Sequence, residues 1–115
     1  MSNLTDNWFN ITNAEDVMAI IEKSEHKPQL IFKHSVTCGI SNFAQEKLIT
    51  GNELITAKAD FNYLDLLAYR AVSNFIADKL NVLHQSPQII ILKDKKVIYT
   101  ATHSAINPDK IVAQL

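Results

Sequence analysis

The chain has 115 residues, 47% of them hydrophobic, and a formal net charge of −1 at pH 7. Its length is near the commonest size of one domain, so we expect residues 1–115 to form a single domain. The apolar content excludes an intrinsically disordered chain. The near-zero net charge argues against a protein that binds nucleic acid or a membrane surface electrostatically.

The start of the chain has no basic region followed by an apolar run, so no signal peptide is expected. No apolar run approaches the ~20 residues that a membrane span needs. The single cysteine cannot form an intramolecular disulfide and fits a reducing compartment. We therefore expect a cytoplasmic protein with no membrane and no nucleic acid among its partners.

The N-terminal part of the chain predicts an amphipathic helix. Residues 1–11 are polar apart from Trp8 and its apolar neighbours, and they leave open a short strand or an extended arm. Thr12 and Glu15 have the spacing of a capping box, and apolar residues follow at helical spacing. The helix should end before Pro28, because the residue preceding a proline avoids the α region.

A central strand and a second helix follow. Residues 30–32 form a short apolar run, as expected of a strand buried on both faces. The second helix begins at Cys38 and should end at Gly51, in a left-handed C-cap conformation. Its predicted inner face consists of Ile40, Phe43, Ala44 and Leu48.

The middle of the chain predicts another strand and helix. Apolar and polar residues alternate over 55–61, which indicates a strand with two unlike faces. From 64 to 80 the apolar spacing is helical, and Ser73 can act as an internal N-cap that splits this segment into two helices.

The C-terminal part predicts a β-hairpin and a last helix. Residues 89–92 and 97–100 flank a polar turn, and Asn107 with Pro108 has the signature of a helix start. The resulting order is α-β-α-β-α-β-β-α, with an optional extra N-terminal strand. Strand-helix-strand units imply a parallel pair, and the hairpin adds antiparallel strands. We expect an α/β fold with a mixed four-stranded sheet between helices.

The stretch 29–41 is the part of the sequence that indicates chemistry. It reads as a strand, a tight loop and a helix start, with Cys38 at the helix N-terminus and Ser41 three residues on. The first backbone N–H groups of a helix lack intrahelical partners and favour an anion, here the thiolate. A thiolate is the species that attacks a disulfide. Ser41 can donate a hydrogen bond to the sulfur, but it cannot form a disulfide with it.

The order of these elements resembles the thioredoxin superfamily over nearly the whole chain. A strand, a cysteine at a helix N-terminus, and a later Ser86 and Pro87 that open a strand carry the resemblance. It implies a cis bond before Pro87, with that loop facing Cys38 and Ser86 pairing with the substrate backbone. The chain departs from thioredoxin at Thr37, where thioredoxin has tryptophan, and at Ser41, where it has the resolving cysteine.

A further departure is Phe32, which stands where thioredoxin has a buried aspartate. Four segments look more like the monothiol bacilliredoxins: 32–41, 69–74, 84–88 and 102–104. That family carries T-C-P-I-S at its active site, and here Gly39 replaces the proline. The resemblance implies that Cys38 removes bacillithiol from mixed disulfides on cytoplasmic proteins.

On this interpretation bacillithiol is a co-substrate, its protein partners are bacillithiolated cytoplasmic proteins, and no cofactor is tightly bound. Cys38 and Ser41 are the expected catalytic residues. The residues expected to contact the substrate around them are Thr37, Gly39, Ile40, Ser86 and Pro87.

Polar residues near these motifs are further candidates for substrate binding. Lys33 and His34 end the strand before Cys38, where they can favour its thiolate or attract the carboxylates of a small thiol; solvated strand-end charges are the alternative. His84 and His103 can approach the same edge of the fold, although such histidines more often bond only the backbone. Arg70 can pair with a carboxylate, with binding of a substrate anion as the weaker alternative.

Two other functions stay open at this point. Cys38-Gly-Ile-Ser41 is one residue away from the C-G-F-S motif of monothiol glutaredoxins, which bridge an iron–sulfur cluster between protomers. The T-V-P and Gly-Gly motifs of that class are missing. A thiol redox sensor or an inert thioredoxin-like interaction module is the other alternative. The four histidines and one cysteine lack zinc-finger spacing, so no metal site is expected.

Overall fold

The structure is a computed structural model that describes residues 7–115. These residues form a five-stranded mixed sheet with helices on both faces. The strands are β1 (Phe9–Asn10), β2 (Gln29–His34), β3 (Asp60–Asp65), β4 (Gln88–Lys93) and β5 (Lys96–Thr102). The helices are α1 (Ala14–Lys23), α2 (Gly39–Thr50), α3 (Asn52–Thr56), α4 (Arg70–Leu80) and α5 (Pro108–Ala113), with a 3-10 turn at His103–Ala105.

Strand β2 is the centre of the sheet, whose order is β1-β3-β2-β4-β5. It runs parallel to β3 and antiparallel to β4, with Lys33 opposite Gln88. The end of β2 and the start of β4 therefore lie at the same edge of the sheet. Alternate residues of β2 point to opposite faces, so Leu30 and Phe32 pack with α2, α3 and α5, whereas Ile31 packs with α1 and α4.

The fifth strand corrects the expected four-stranded sheet. Strand β1 pairs in parallel with β3 at its outer edge. The buried Trp8 ring anchors it by stacking on Phe61 at a centroid distance of 3.9 Å, and Trp8 Nε1 donates a hydrogen bond to Asn52 Oδ1 at 2.7 Å. Of the N-terminal arm considered from sequence, residues 1–6 lie outside the described part of the chain.

The strand predicted over 55–61 is wrong in its first half. Residues of α3 occupy that position, and β3 begins only at Asp60. Ile55 and Ala59 are both fully buried, and a spacing of four is also the spacing of a helix face. The alternation therefore resulted from a short helix followed by a strand.

The helix predicted over 64–80 begins later than expected. Leu64 belongs to β3, and α4 starts at Arg70. Asp65 makes the intervening turn, because its carboxylate accepts hydrogen bonds from the backbone N–H groups of Leu67 and Ala68. Ser73 is not an N-cap: it is buried inside α4, and its N–H donates to Tyr69 O.

Helix boundaries elsewhere differ from the sequence prediction in detail. Asn13, not Thr12, caps α1 by accepting a hydrogen bond from Asp16 N at 2.8 Å, and α1 ends at Lys23, well before Pro28. The hairpin of β4 and β5 is confirmed. The cap of α5 is also confirmed, since the Asn107 side chain accepts from the backbone N–H groups of Asp109 and Lys110.

The described residues include no helix long and apolar enough to cross a membrane.

Gly51 separates α2 from α3 but does not adopt the left-handed conformation expected of it, since its φ is −93°. A glycine is needed at position 51 because a larger side chain would not fit there. A Cβ built on Gly51 would lie 2.4 Å from Pro108 Cβ and 2.8 Å from Pro108 Cγ. The close approach of the α2–α3 junction to the start of α5 therefore depends on a residue without a side chain.

Replacing Gly51 by alanine should lower the free energy of unfolding by about 1–3 kcal/mol, because the rigid Pro108 ring has to move. Gly39→Ala is the matched control, since a Cβ there meets no atom within 4 Å. That control should leave stability unchanged or raise it by less than about 1 kcal/mol. Urea unfolding followed by circular dichroism measures both variants. Equal stability of the two would contradict the proposed close contact.

Lys33 is buried on the face of the sheet that packs with α1 and α4. Its Nζ donates a hydrogen bond to Ser73 O in α4 at 3.1 Å and lies 3.3 Å from His84 Nδ1 in the loop before β4. Ser73 Oγ lies 3.2 Å from the same Nδ1. Burial lowers the pKa of Lys33 from 10.5 to about 8. A buried lysine thus joins β2, α4 and the loop that leads to Pro87.

The lowered pKa of Lys33 predicts a rise in stability with pH. Between about pH 8 and 10.5 the unfolded chain carries a proton on Lys33 that the folded chain has released, so folding becomes more favourable as pH increases across this window. The rise is at most ~3 kcal/mol. Lys33→Met should abolish it, whereas Lys96→Met, at an exposed position of β5, should keep it. Chemical denaturation of the three proteins at pH 7.5 and 10.5 measures the difference, and an identical rise in all three would show that Lys33 has an ordinary pKa.

Candidate active site around Cys38

The turn of residues 35–38 joins β2 to α2 and carries Cys38. Cys38 is the N-cap residue of α2: its C=O accepts from Asn42 N at 2.9 Å, and its N–H donates to Ser35 O at 3.1 Å. Asn42 Nδ2 also donates to Val36 O at 3.2 Å. Cys38 is partly exposed. Cys38 thus lies beside the unpaired N–H groups of the first helical turn, in a loop whose backbone is fixed by several hydrogen bonds.

Ser41 does not make the contact expected from the sequence. Its side chain is fully buried, and its Oγ lies 2.6 Å from His34 Nδ1 and accepts a hydrogen bond from Ser35 N at 3.0 Å. No hydrogen bond joins Ser41 to Cys38 anywhere in residues 7–115. The reason is competition, because a buried imidazole and a backbone N–H both require a partner at this point.

His34 is a buried imidazole and not a solvated charge. It is 1% exposed and packs against the rings of Phe32 and Tyr63, at centroid distances of 5.4 and 5.9 Å. Burial lowers the pKa of His34, while the Asp65 carboxylate and hydrogen bonds to Asn42 and Ser41 oppose this shift. His34 is therefore neutral at pH 7 and offers no cation to a substrate carboxylate.

Lys33 and His84 lie together, but away from α2. Both belong to the cluster with Ser73 on the opposite face of the sheet. The pKa of His84 is lowered by burial and by the nearby charges of Lys33 and Arg70. Arg70 is exposed and takes part in none of the ion pairs of the described residues, so its expected carboxylate partner is absent there. Lys33 and His84 therefore lie on the face of the sheet opposite the one that packs with α2.

The Ser86–Pro87 peptide bond is cis, as the resemblance implies. Pro87 is buried, and its carbonyl oxygen accepts a hydrogen bond from His103 N at 3.1 Å. Ser86 Oγ is buried without a hydrogen-bond partner among the described residues. The start of β4 is thereby tied to the 3-10 turn at His103–Ala105.

A cavity of about 350 Å³ lies between the start of α2 and this 3-10 turn. It brings together Gly39, Ile40 and His103, three of the residues predicted from the sequence. Phe43 and Ser104 also line it, although neither was among the site residues predicted from the sequence. His103 lines the cavity and also donates its backbone N–H to the carbonyl oxygen of Pro87. The cavity therefore adjoins the cis-proline loop. Thr37 is exposed in the turn beside Cys38.

The exposure of Ile40 and Phe43 corrects the predicted inner face of α2. Ile40 is 57% exposed and Phe43 61% exposed, whereas Ser41, Ala44 and Leu48 form the buried stripe. The spacing 40, 43, 47 is a second helical face, and Lys47 Nζ lies over the Phe43 ring at 5.2 Å. An apolar pair that begins two residues after Cys38 is the sequence signal that this face borders the site.

Within residues 7–115 no group of three or more histidine, cysteine, aspartate or glutamate side chains is arranged to hold a metal ion.

Comparison with known proteins assigns the chain to a family. Residues 9–111 match the family model described as monothiol bacilliredoxin BrxC. A solved structure described as a candidate oxidoreductase with a thioredoxin fold is 25% identical, covering 99% of this chain and 98% of its own, with a TM-score of 0.84.

Two thioredoxins share the fold at lower identity. Mitochondrial thioredoxin 3 of Saccharomyces cerevisiae, in its oxidised form, is 20% identical, with 98% of this chain and 100% of that chain covered and a TM-score of 0.71. Thioredoxin of Fasciola hepatica is 17% identical, with coverages of 93% and 99% and a TM-score of 0.71. The structures show a thioredoxin-like fold, and the family match shows that the chain belongs to the monothiol bacilliredoxin family of thioredoxin-like oxidoreductases.

Proposed function

We propose that this protein removes bacillithiol from mixed disulfides on cytoplasmic proteins, through a disulfide between bacillithiol and Cys38. The observation that carries the proposal is the position of the chain's single cysteine: a partly exposed N-cap residue of α2 in a member of the monothiol family. The thiolate of Cys38 is the species that such an exchange requires.

The reaction has two exchanges. The Cys38 thiolate attacks the bacillithiol sulfur of the mixed disulfide; that S–S bond breaks, and the target cysteine leaves as a thiolate that takes a proton from solvent. A second bacillithiol thiolate, or the thiol of a separate reductase, then attacks the disulfide on Cys38. With bacillithiol the product is its symmetrical disulfide, and the Cys38 thiolate is restored. Ser41 cannot perform this second step because it has no sulfur.

The surroundings of Cys38 support contact with a peptide and a small thiol. Ser86 precedes the cis-proline at the edge of the sheet where β2 ends, and we expect its backbone to pair with the backbone of the substrate. Gly39, Ile40 and His103 line the adjoining cavity. In the proposed reaction bacillithiol is a co-substrate, and no tightly bound cofactor takes part.

The wild-type protein should form one bacillithiol adduct per chain when mixed with a bacillithiolated protein, because Cys38 is its sole acceptor. Mass spectrometry of the intact protein measures the adduct. Cys38→Ala should form none, and release of further target should require added bacillithiol and increase with its concentration. Full turnover without any external thiol, or activity of Cys38→Ala, would contradict the monothiol mechanism.

Replacing Ser41 by cysteine should supply the missing internal resolving thiol. Position 41 lies one helical turn from Cys38, so the new thiol can attack the adduct and release bacillithiol. We expect a shorter adduct lifetime and an intramolecular disulfide, seen as a loss of 2 Da relative to the reduced variant after release, the mass of two hydrogens. Ser41→Ala is the control and should keep the adduct until bacillithiol is added. An equally long-lived adduct on the cysteine variant would show that position 41 cannot reach the sulfur.

A further inference from the structure

The end of β2 and the start of α2 are joined through one buried hydroxyl group. Ser41 Oγ meets His34 Nδ1 at 2.6 Å and the backbone N–H of Ser35 at 3.0 Å. Both His34 and Ser41 are at most 1% exposed. The three residues thus form a chain of hydrogen bonds from the last residue of the strand, through the helix, to the first residue of the turn that holds Cys38.

His34 is itself held in place from other directions. Its ring packs against the rings of Phe32 in β2 and Tyr63 in β3. Its backbone C=O accepts from Leu66 N at 2.9 Å, and it lies opposite Asp65 in the register of β2 and β3. An imidazole with so little freedom defines a fixed position for the hydroxyl group bonded to it.

From this geometry we infer that His34 is a positioning residue for Cys38, acting through the Ser41 hydroxyl. The bond to His34 fixes Ser41, Ser41 fixes the Ser35 N–H, and Ser35 O in turn accepts from Cys38 N at 3.1 Å. The hydroxyl group of Ser41 in the C-x-x-S motif therefore supports the backbone turn and makes no hydrogen bond to Cys38. The inference rests on Cys38 being the reacting group of the proposed function, but not on bacillithiol being its partner.

The test uses alkylation of Cys38 by iodoacetamide, followed by mass spectrometry of the intact protein. Cys38 is the sole cysteine, so the rate reports this thiol alone and needs no bacillithiol. His34→Phe keeps an aromatic ring against Phe32 and Tyr63 but removes Nδ1. Ser41→Ala removes the hydroxyl. Each should slow alkylation at pH 7 by about two- to fivefold, the size of the stabilisation that a helix N-terminus gives to an anion.

The double variant should be no slower than either single variant, because residues that act as one unit are not additive. His34→Asn places an amide at the position of Nδ1 and should recover most of the rate. Ser24→Ala is the matched control. Its buried hydroxyl also makes two hydrogen bonds, to Ile21 O and from Lys95 N, at the other end of the sheet. It should lose stability and keep the alkylation rate.

The possible outcomes separate the alternatives. Slower alkylation in Ser41→Ala alone would mean that the hydroxyl acts on the sulfur without His34, and it would overturn the inference. Unchanged rates in both single variants, additive losses in the double variant, or an equal loss in Ser24→Ala would overturn it as well. If all variants behave as expected but no bacillithiol adduct forms, the positioning role stands and the proposed substrate is wrong.

Discussion

Strand β2 is buried over its whole length, yet its last two residues are a lysine and a histidine. Buried polar groups require partners, and the alternation of a strand sends the two side chains to opposite faces of the sheet. Lys33 finds Ser73 and His84, and so ties the loop before the cis-proline to α4. His34 finds Ser41, and so ties the turn of Cys38 to the strand. The last two residues of β2 thus make hydrogen bonds that hold both the loop before the cis-proline and the turn of Cys38.

Elements that are specified by local sequence signals could be predicted from the sequence, whereas elements that depend on distant contacts could not. The helix start at Cys38, the hairpin and the cap of α5 depend on local signals such as apolar runs, turn residues and Asn-Pro, and each is present. Residues 55–61 were misassigned because a burial spacing of four fits a helix as well as an alternating strand. Strand β1 has two residues and no periodicity. Its place in the sheet is decided by Trp8 contacting Asn52 and Phe61, which are distant in sequence.

The contacts around Cys38 could be predicted from the sequence less well than the placement of the residues at the start of α2. Cys38, Gly39 and Ile40 lie at the helix start, and Pro87 is joined to His103. The direction of the Ser41 hydroxyl could not be read from its spacing to Cys38, because it depends on a buried histidine on another element. The same applies to Lys33, which looks like a strand-end charge in the sequence and is buried in the structure.

Because the chain has no second thiol, it cannot resolve a disulfide on Cys38 by itself. Phe32 stands where thioredoxin has a buried aspartate, and its aromatic ring packs against His34. The Ser41 hydroxyl group is bonded to the backbone of the turn. Neither residue can accept a proton or complete a disulfide at Cys38. The proposed cycle therefore depends on a thiol from another molecule, either bacillithiol or a separate reductase, and bacillithiol is the small thiol that we propose to form the adduct on Cys38.

The most direct measurement mixes the reduced protein with equal concentrations of oxidised bacillithiol, oxidised glutathione and cystine, and follows adduct formation on Cys38 by mass spectrometry. We expect the bacillithiol adduct to form fastest, by a factor of about ten or more, which corresponds to a preference of at least about 1.4 kcal/mol in the transition state. Equal rates for the three disulfides, or faster reaction with glutathione, would contradict it.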